Sequence, residues 1–159
     1  MYKNDPISIM VYGDPAPQGS KTYLGKGVLV ESSKRVKPWR QAVKFAALEV
    51  LRRADFYEDV AFDCPVKVSI RFYLHKPKSA PKKRYYPDRK PDLDKLIRST
   101  LDALKEAGCY KDDSRVVKIE ADKCYAELSG AQILIEEMPP AALHIAQQAD
   151  ANQLDFTRM

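Results

Sequence analysis

Two pairs of aspartates are the residues of this chain best suited to chemistry. Asp92 and Asp94 flank Leu93, and Asp112-Asp113 follows further along the chain. Taken alone, such pairs are more often helix caps or polar turns, because Asp favours helix N-termini. Three or four carboxylates together could hold Mg²⁺, which combines a few carboxylates with substrate phosphates. Such an ion activates water and neutralises the charge that develops in phosphodiester cleavage.

Other catalytic side chains are scarce. The chain has two histidines and three cysteines, none at the spacing of a metal-binding pair: His75, His144, Cys64, Cys109 and Cys124. This argues against zinc sites, serine triads and disulfide frameworks. An aspartyl phosphatase is also disfavoured, because its Asp-x-Asp motif should follow an apolar strand. Carboxylates are therefore the expected catalytic groups.

A basic segment stands directly before Asp92. Residues 76–90, named the basic arm here, hold seven basic side chains against one acidic one, Asp88, and prolines within it prevent a regular helix or central strand. A charge run is most often a solvated connector, but its position favours a role along DNA phosphates, with Tyr85 and Tyr86 contacting sugars or bases. The expected phosphate contacts in the arm are Lys76, Lys82, Lys83, Arg84, Arg89 and Lys90. Lys21, Lys34 and Arg35 are further candidates outside it.

The elements that must position these residues follow from hydrophobic periodicity. In chain order the pattern predicts a strand at 7–12, a hairpin around 25–27, a helix beginning near Pro38, a strand at 66–75, a helix at about 92–107, and strands at 116–125 and 132–135. Gly108 is the natural C-cap of the second helix. Residues 1–138 are predicted as one domain, and 139–159 as a tail or a short helix.

Composition places the chain among folded proteins of the cytoplasm. It has 159 residues, a net charge of +5, no apolar run of membrane-spanning length and no signal-peptide pattern. We expect a cytoplasmic location and no membrane partner.

The order of these features resembles the RusA family of Holliday junction resolvases. The resemblance rests on Asp92-Leu93-Asp94-Lys95-Leu96, Leu101-Asp102-Ala103-Leu104, Gly108 and Lys111-Asp112-Asp113-Ser114-Arg115-Val116-Val117, in residues and in spacing. It implies a small homodimeric, Mg²⁺-dependent endonuclease, with Mn²⁺ as a possible substitute and no nucleotide cofactor, that makes paired nicks in four-way DNA junctions. It also implies an α+β fold: a small mixed β-sheet packed by two main helices, with a β-hairpin near the N-terminus.

The resemblance assigns roles to four residues. Asp92, Asp94 and Asp113 correspond to the three essential acidic residues and hence to metal ligands, and Arg98 falls where the family usually has an essential lysine. Arg98 keeps the charge with a planar, forked geometry. It could stabilise the phosphorane charge, or pair with Asp94 and Asp102 at helical spacing. Lys95 also departs from the family pattern, standing where asparagine is usual.

The spacing limits how Asp113 can reach the other two aspartates. The helix should be about 20 Å long, and the six residues beyond it span at most about 20 Å. Either the segment at 111–114 runs straight back along the helix, or Asp113 is supplied across a dimer interface.

Two rival functions stay open on the sequence. The departures at Lys95 and Arg98 would suit a catalytically inactive module that binds branched DNA. A metal nuclease acting on flaps or duplexes would use the same acidic set.

Overall fold

The computed structural model describes residues 5–19, 21–23, 25–26, 29–31, 34–54 and 60–141, with positions 143, 145 and 148. Its elements are β1 (Ile7–Tyr12), β2 (Lys21–Tyr23), β3 (Leu29–Glu31), α1 (Val36–Arg53), β4 (Val66–Leu74), α2 (Leu93–Glu106), β5 (Val116–Tyr125) and β6 (Gly130–Glu137). A short 3₁₀ turn, Asp113–Arg115, precedes β5. The predicted α+β class is confirmed.

The main sheet has the strand order β1-β6-β4-β5. The β4–β5 pair is parallel, whereas β6 runs antiparallel to both β1 and β4, so the sheet is mixed as expected. Strands β2 and β3 form a separate antiparallel hairpin near the N-terminus. The strand predicted at 132–135 is longer, because it pairs with β1 as far as Gly130. A Cβ at Gly130 would lie 2.1 Å from the Val11 carbonyl oxygen, so only glycine fits there.

One face of the sheet forms the core with both helices. The buried residues alternate along β1 and β4, as a half-buried strand requires. Trp39 of α1 is buried, and its indole nitrogen donates a 3.1 Å hydrogen bond to the Thr100 hydroxyl of α2. This bond satisfies a polar group in the interior and joins the two helices.

The opposite face of the sheet is polar and has no helix over it among the described residues. Arg71 donates to both carboxylate oxygens of Asp122 on the neighbouring strand, and Lys67 lies 3.0 Å from Glu120. These pairs place basic side chains of β4 beside acidic side chains of β5, which stabilises the pairing of the two strands.

The chain ends in a segment of which the structure describes only a part. Ala141, Leu143, Ile145 and Gln148 have helical backbone and exposed side chains. The boundary near 138 therefore stays a prediction. Within the described part of the chain, no helix combines the length and apolar character needed to cross a bilayer.

Candidate active site and DNA-binding surface

The N-terminus of α2 presents Asp92 and Asp94 side by side. Asp92 is the N-cap residue by backbone conformation, yet its carboxylate makes no capping hydrogen bond. The Oδ2 atom of Asp92 instead lies 3.1 Å from the Lys95 ammonium. Asp94 is exposed in the first turn, and no described basic side chain lies within ion-pair distance of it. Neither carboxylate is therefore occupied as a helix cap, the commoner role of such a pair.

The backbone just before Asp92 is fixed to the sheet by Lys123. The ammonium of this β5 residue donates 2.8 Å hydrogen bonds to the carbonyl oxygens of Arg89 and Pro91. These contacts hold the end of the basic arm at the C-terminal end of β5. Sequence reasoning missed Lys123, because no local pattern marks a contact between residues more than thirty positions apart.

Arg98 lies one helical turn beyond Asp94, beneath the loop at 13–19. Its Nη1 atom is 3.4 Å from the Cβ position that Gly19 leaves empty, and Gly19 has a positive φ of 111°. The same loop makes two hydrogen bonds with α2. The Gln18 backbone nitrogen donates to the Lys95 carbonyl oxygen at 3.0 Å, and the Ser99 hydroxyl donates to the Ala16 carbonyl oxygen at 2.6 Å. The loop thus packs along α2 beside the exposed Arg98 guanidinium.

The suggested pairing of Arg98 with Asp94 and Asp102 is not found. Among the described residues, no carboxylate lies within ion-pair distance of Arg98. Asp102 instead accepts a 2.6 Å hydrogen bond from Gln18 Nε2 and lies 3.8 Å from Arg40. Because Asp102 has these other partners, the charge of Arg98 stays available to a ligand.

Asp113 lies at the other end of α2. Its carboxylate is 3.6 Å from the Lys105 ammonium, and that of Asp112 is 3.5 Å from the same nitrogen. The two negative charges, that of Asp113 foremost, raise the pKa of Lys105. Asp112 also accepts a 3.0 Å hydrogen bond from the Ser114 backbone, which lowers the pKa of Asp112. Asp112 is thus a cap of the 3₁₀ turn, whereas the one ion pair of Asp113 with a described residue is the long contact with Lys105.

A helix length separates Asp113 from the other two aspartates. Asp94 and Lys105 are eleven residues apart, which is about 16 Å along the axis of α2. Strand β5 gives a second measure of this separation. Lys123 contacts Pro91, and Val116 follows the turn that contains Asp113. These two β5 residues are about 23 Å apart along the strand. The described part of the chain contains no group of three or more acidic, His or Cys side chains able to hold a metal.

The alternative of a straight return along α2 does not occur. The Lys111 backbone nitrogen donates to the Phe62 carbonyl at 3.1 Å, and its ammonium lies 2.9 Å from Asp63. Residues 62 and 110 also form a β-bridge. These contacts hold the segment before Asp113 near the start of β4, away from the N-terminus of α2.

The basic arm is irregular and exposed, as its prolines predict. Tyr85 and Tyr86 are each 78% exposed. The Lys76 ammonium donates to the Lys82 carbonyl at 3.2 Å and lies 5.8 Å from the centre of the Tyr125 ring. Lys76 thus braces the arm against β5, in addition to the phosphate contact expected of it. Lys78, Lys82, Lys83, Arg89 and Lys90 are exposed to solvent.

A basic groove of about 570 Å³ lies between the arm, the start of α1 and the end of β5. Its charged lining is Arg35, Arg84, Arg89, Lys90 and Asp14. The groove reaches Pro91, so it opens next to Asp92. The structure therefore brings Arg35 to the arm, although the two are distant in sequence.

Of the other two predicted contacts, Lys34 lies apart from this groove. Lys34 lines a separate groove with Lys37, Arg40 and Lys44. Lys21 belongs to β2, and its side chain lies outside the described residues.

Comparison with known proteins places this arrangement in a family. The sequence profile described as Endodeoxyribonuclease RusA matches residues 13–136. The chain is also 27% identical over 144 residues to the uncharacterized protein YqaN of Bacillus subtilis (strain 168), covering 84% of this chain and 98% of that protein. The profile match spans most of the chain and includes the arm, α2 and the turn that carries Asp113. It indicates an endodeoxyribonuclease of the kind that resolves branched DNA. The chain belongs to the RusA endodeoxyribonuclease family.

Proposed function

We propose that the chain resolves four-way DNA junctions as a homodimer, with Mg²⁺ held by Asp92 and Asp94 of one chain and by the partner's Asp113. The observation that carries this proposal is the separation of these aspartates along α2. One chain holds two carboxylates at one end of the helix and one at the other, so it lacks a complete set of ligands. A second copy related by a two-fold axis would complete two equivalent sets.

The donor set fits a hard divalent cation. Carboxylate oxygens are the ligands that Mg²⁺ prefers, and the exposed position of Asp94 leaves room for water and a substrate phosphate. When bound, the ion would supply an activated water and compensate the charge of the scissile phosphate. Mn²⁺ has similar ligand preferences and is the expected substitute.

The chain's own residues would bind and orient the DNA. The basic groove beside Asp92 would hold the phosphates next to the scissile bond, and the arm would extend this contact along the strand. Arg98 would place its guanidinium near the charge that develops on the phosphate, where a forked donor can make two hydrogen bonds. Lys95 compensates the charge of Asp92 in the absence of a metal.

Two-fold symmetry accounts for paired cleavage. A four-way junction offers two equivalent strands, and an isologous dimer offers two equivalent sites. The proposed product is therefore a pair of symmetric nicks that separates the junction into two duplexes.

Mixing inactive chains tests the shared site. Asp92→Asn and Asp113→Asn chains should each be inactive alone, while their heterodimer contains one intact site and one doubly altered site. Random assembly restores about a quarter of the sites, since half of the dimers are mixed. The mixture should nick a synthetic four-way junction in Mg²⁺, and chelator should abolish the nicking. Because each heterodimer cuts once, nicked junctions should accumulate over resolved duplexes.

A matched mixture supplies the control. Asp92→Asn with Asp94→Asn leaves every shared site with one altered ligand, so this mixture should stay inactive. Equal activity of the two mixtures, or no activity in either, would contradict the shared site.

The ion pair between Lys95 and Asp92 favours one other candidate, an inactive module that binds branched DNA. A lysine that occupied this carboxylate permanently would exclude the metal. Titration of the wild-type chain with Mg²⁺ separates the two functions, since binding of the junction without nicking at any concentration would favour the inactive module. Competition by flap and linear duplex DNA then tests selectivity for the four-way junction.

A further inference from the structure

Lys123 places a charged, half-buried side chain on the helix side of the sheet. Its neighbour Asp122 bonds to Arg71 on the polar face, and successive residues of a strand point to opposite faces. The Lys123 ammonium donates 2.8 Å hydrogen bonds to the carbonyl oxygens of Arg89 and Pro91. No carboxylate of the described residues lies within ion-pair distance of it. The charge of Lys123 is thus directed at the backbone that leads into α2 and not at an acidic partner.

These two carbonyl groups precede the hydrogen-bond ladder of α2. The ladder begins at the Asp92 carbonyl oxygen, which accepts a 3.1 Å hydrogen bond from the Leu96 nitrogen. Carbonyl groups before the N-cap residue lie outside this ladder, so α2 itself cannot hold them in place. Lys123 holds the Pro91 carbonyl, which belongs to the peptide bond between Pro91 and Asp92.

The Asp92 backbone is therefore held on both sides. The bond from Leu96 fixes its carbonyl group, and Lys123 fixes the peptide before it. Because the backbone on both sides determines the direction of the Cα–Cβ bond, these contacts set where the Asp92 carboxylate begins. The Asp92 side chain makes no capping hydrogen bond that would fix this backbone instead. Asp94, in the first turn of α2, takes its position from the same helix end.

We propose that Lys123 is a positioning residue for cleavage, which holds Asp92 and Asp94 where they bind the metal. This inference rests on the proposed function and adds a residue outside the ligand set. Mg²⁺ requires near-ideal octahedral geometry, so a small displacement of its ligands lowers activity. Phosphate contacts made by long, exposed lysines tolerate the same displacement. Loss of Lys123 should therefore slow cleavage far more than it weakens DNA binding.

Lys123→Met tests this role, because methionine keeps a long, unbranched side chain and removes the donors. Its rate constant for single-turnover cleavage of a four-way junction in Mg²⁺ should fall about 10- to 100-fold. Its junction affinity in chelator, measured by fluorescence anisotropy, should change no more than that of the control. The matched control is Lys67→Met, since Lys67 is a half-buried strand lysine on the opposite face whose partners are carboxylates. The control should cleave at nearly the wild-type rate.

Lys123→Arg separates hydrogen bonding from packing. A guanidinium keeps the charge and the donors, so this variant should recover part of the lost rate. Equal rates for Lys123→Arg and Lys123→Met would overturn the inference. A Lys123→Met rate equal to that of Lys67→Met would overturn it as well.

Amide hydrogen exchange measures the attachment without metal or DNA. In Lys123→Met the Leu96 amide, whose acceptor is the Asp92 carbonyl, should exchange faster than in wild type. The amides of residues 100–104 should be unchanged, and so should the Leu96 amide in Lys67→Met. Unchanged exchange at Leu96 would contradict the positioning role. Faster exchange along the whole of α2 would also contradict it, because the lost activity would then reflect general instability.

Cleavage by the wild-type chain separates this inference from the proposed function. If wild type cleaves the junction and Lys123→Met cleaves it equally fast, the endonuclease stands and the positioning role fails. If wild type cleaves no junction, the proposed function fails. Faster exchange of the Leu96 amide in Lys123→Met would in that case still support the attachment of Asp92 by Lys123.

Discussion

The side-chain nitrogen Nε2 of Gln18 donates a 2.6 Å hydrogen bond to the Asp102 carboxylate. The side-chain oxygen Oε1 of Gln18 accepts a 3.1 Å hydrogen bond from Arg40. Arg40 also pairs with Glu106 on the next turn of α2. The loop before the hairpin is thereby tied to both helices, and Gly19 of this loop lies against Arg98. The Gln18–Asp102 contact, which does not involve Asp92 or Asp94, thus holds in place the loop that lies against Arg98.

The Gln18–Asp102 bond should contribute measurably to stability. A double-mutant cycle of Gln18→Ala and Asp102→Ala is expected to give a coupling energy of about 0.5–1.5 kcal/mol, because the bond is charge-assisted and partly buried. Urea unfolding measures it. The exposed Arg52–Glu49 pair is the control, with an expected coupling of at most about 0.5 kcal/mol. A Gln18–Asp102 coupling no larger than the control would contradict this role.

Thr100 should be needed for its hydroxyl. Thr100→Val leaves the buried Trp39 N–H without an acceptor, at an expected cost of about 1–3 kcal/mol in the free energy of unfolding. Circular dichroism during urea unfolding measures the loss. In a Trp39→Phe background the same substitution should cost clearly less, because no N–H is then left unpaired. Equal costs in the two backgrounds would show that the hydrogen bond is not the cause.

The basic arm should determine the salt dependence of DNA binding. Replacing Lys82 and Lys83 by Ala is expected to lower the slope of log affinity against log salt by up to about two, because each phosphate contact releases roughly one counterion. Fluorescence anisotropy with a four-way junction and an inactive Asp92→Asn chain measures this. Arg52 and Arg53, at the opposite end of α1 from the basic groove, form the matched control pair. If replacing that pair changes the slope as much, net charge rather than the arm determines binding.

Cys109 should make stability depend on pH in alkaline solution. Burial raises the pKa of its thiol from 9.0 to about 12, so between these values the folded state keeps a proton that the unfolded state loses. The free energy of unfolding should therefore fall as pH rises above 9, by at most about 1.4 kcal/mol per pH unit. Comparing urea unfolding of wild type and Cys109→Ala from pH 8 to pH 10.5 isolates this contribution. Parallel pH profiles would contradict it.

The elements around the site were predictable because their signals are local. The stripe of apolar residues in α2, with Asp92 before it and Gly108 after it, predicts the helix within one residue at each end. The alternation in β4 does the same for that strand. The order of the three aspartates and the arm along the chain also led to their selection as site residues, and their roles stay predictions.

The arrangement of these elements was not predictable, because it depends on distant contacts. Nothing local places β6 between β1 and β4, or directs the Lys123 ammonium to the carbonyl oxygens before Asp92. From the length of α2, the sequence left two alternatives for Asp113: a straight return along the helix, or supply across a dimer interface. The bridge between Phe62 and Tyr110 argues against the straight return, and it joins segments nearly fifty residues apart; supply across a dimer interface stays a prediction.

The length of α2 has a consequence for the cell. If each site needs two copies, a dispersed population of single chains carries only half-sites and cannot nick DNA. At concentrations well below that of half-maximal pairing, cleavage would rise with the square of the amount of protein. Stray copies would then be harmless to the chromosome, and expression level itself would act as the control on cutting.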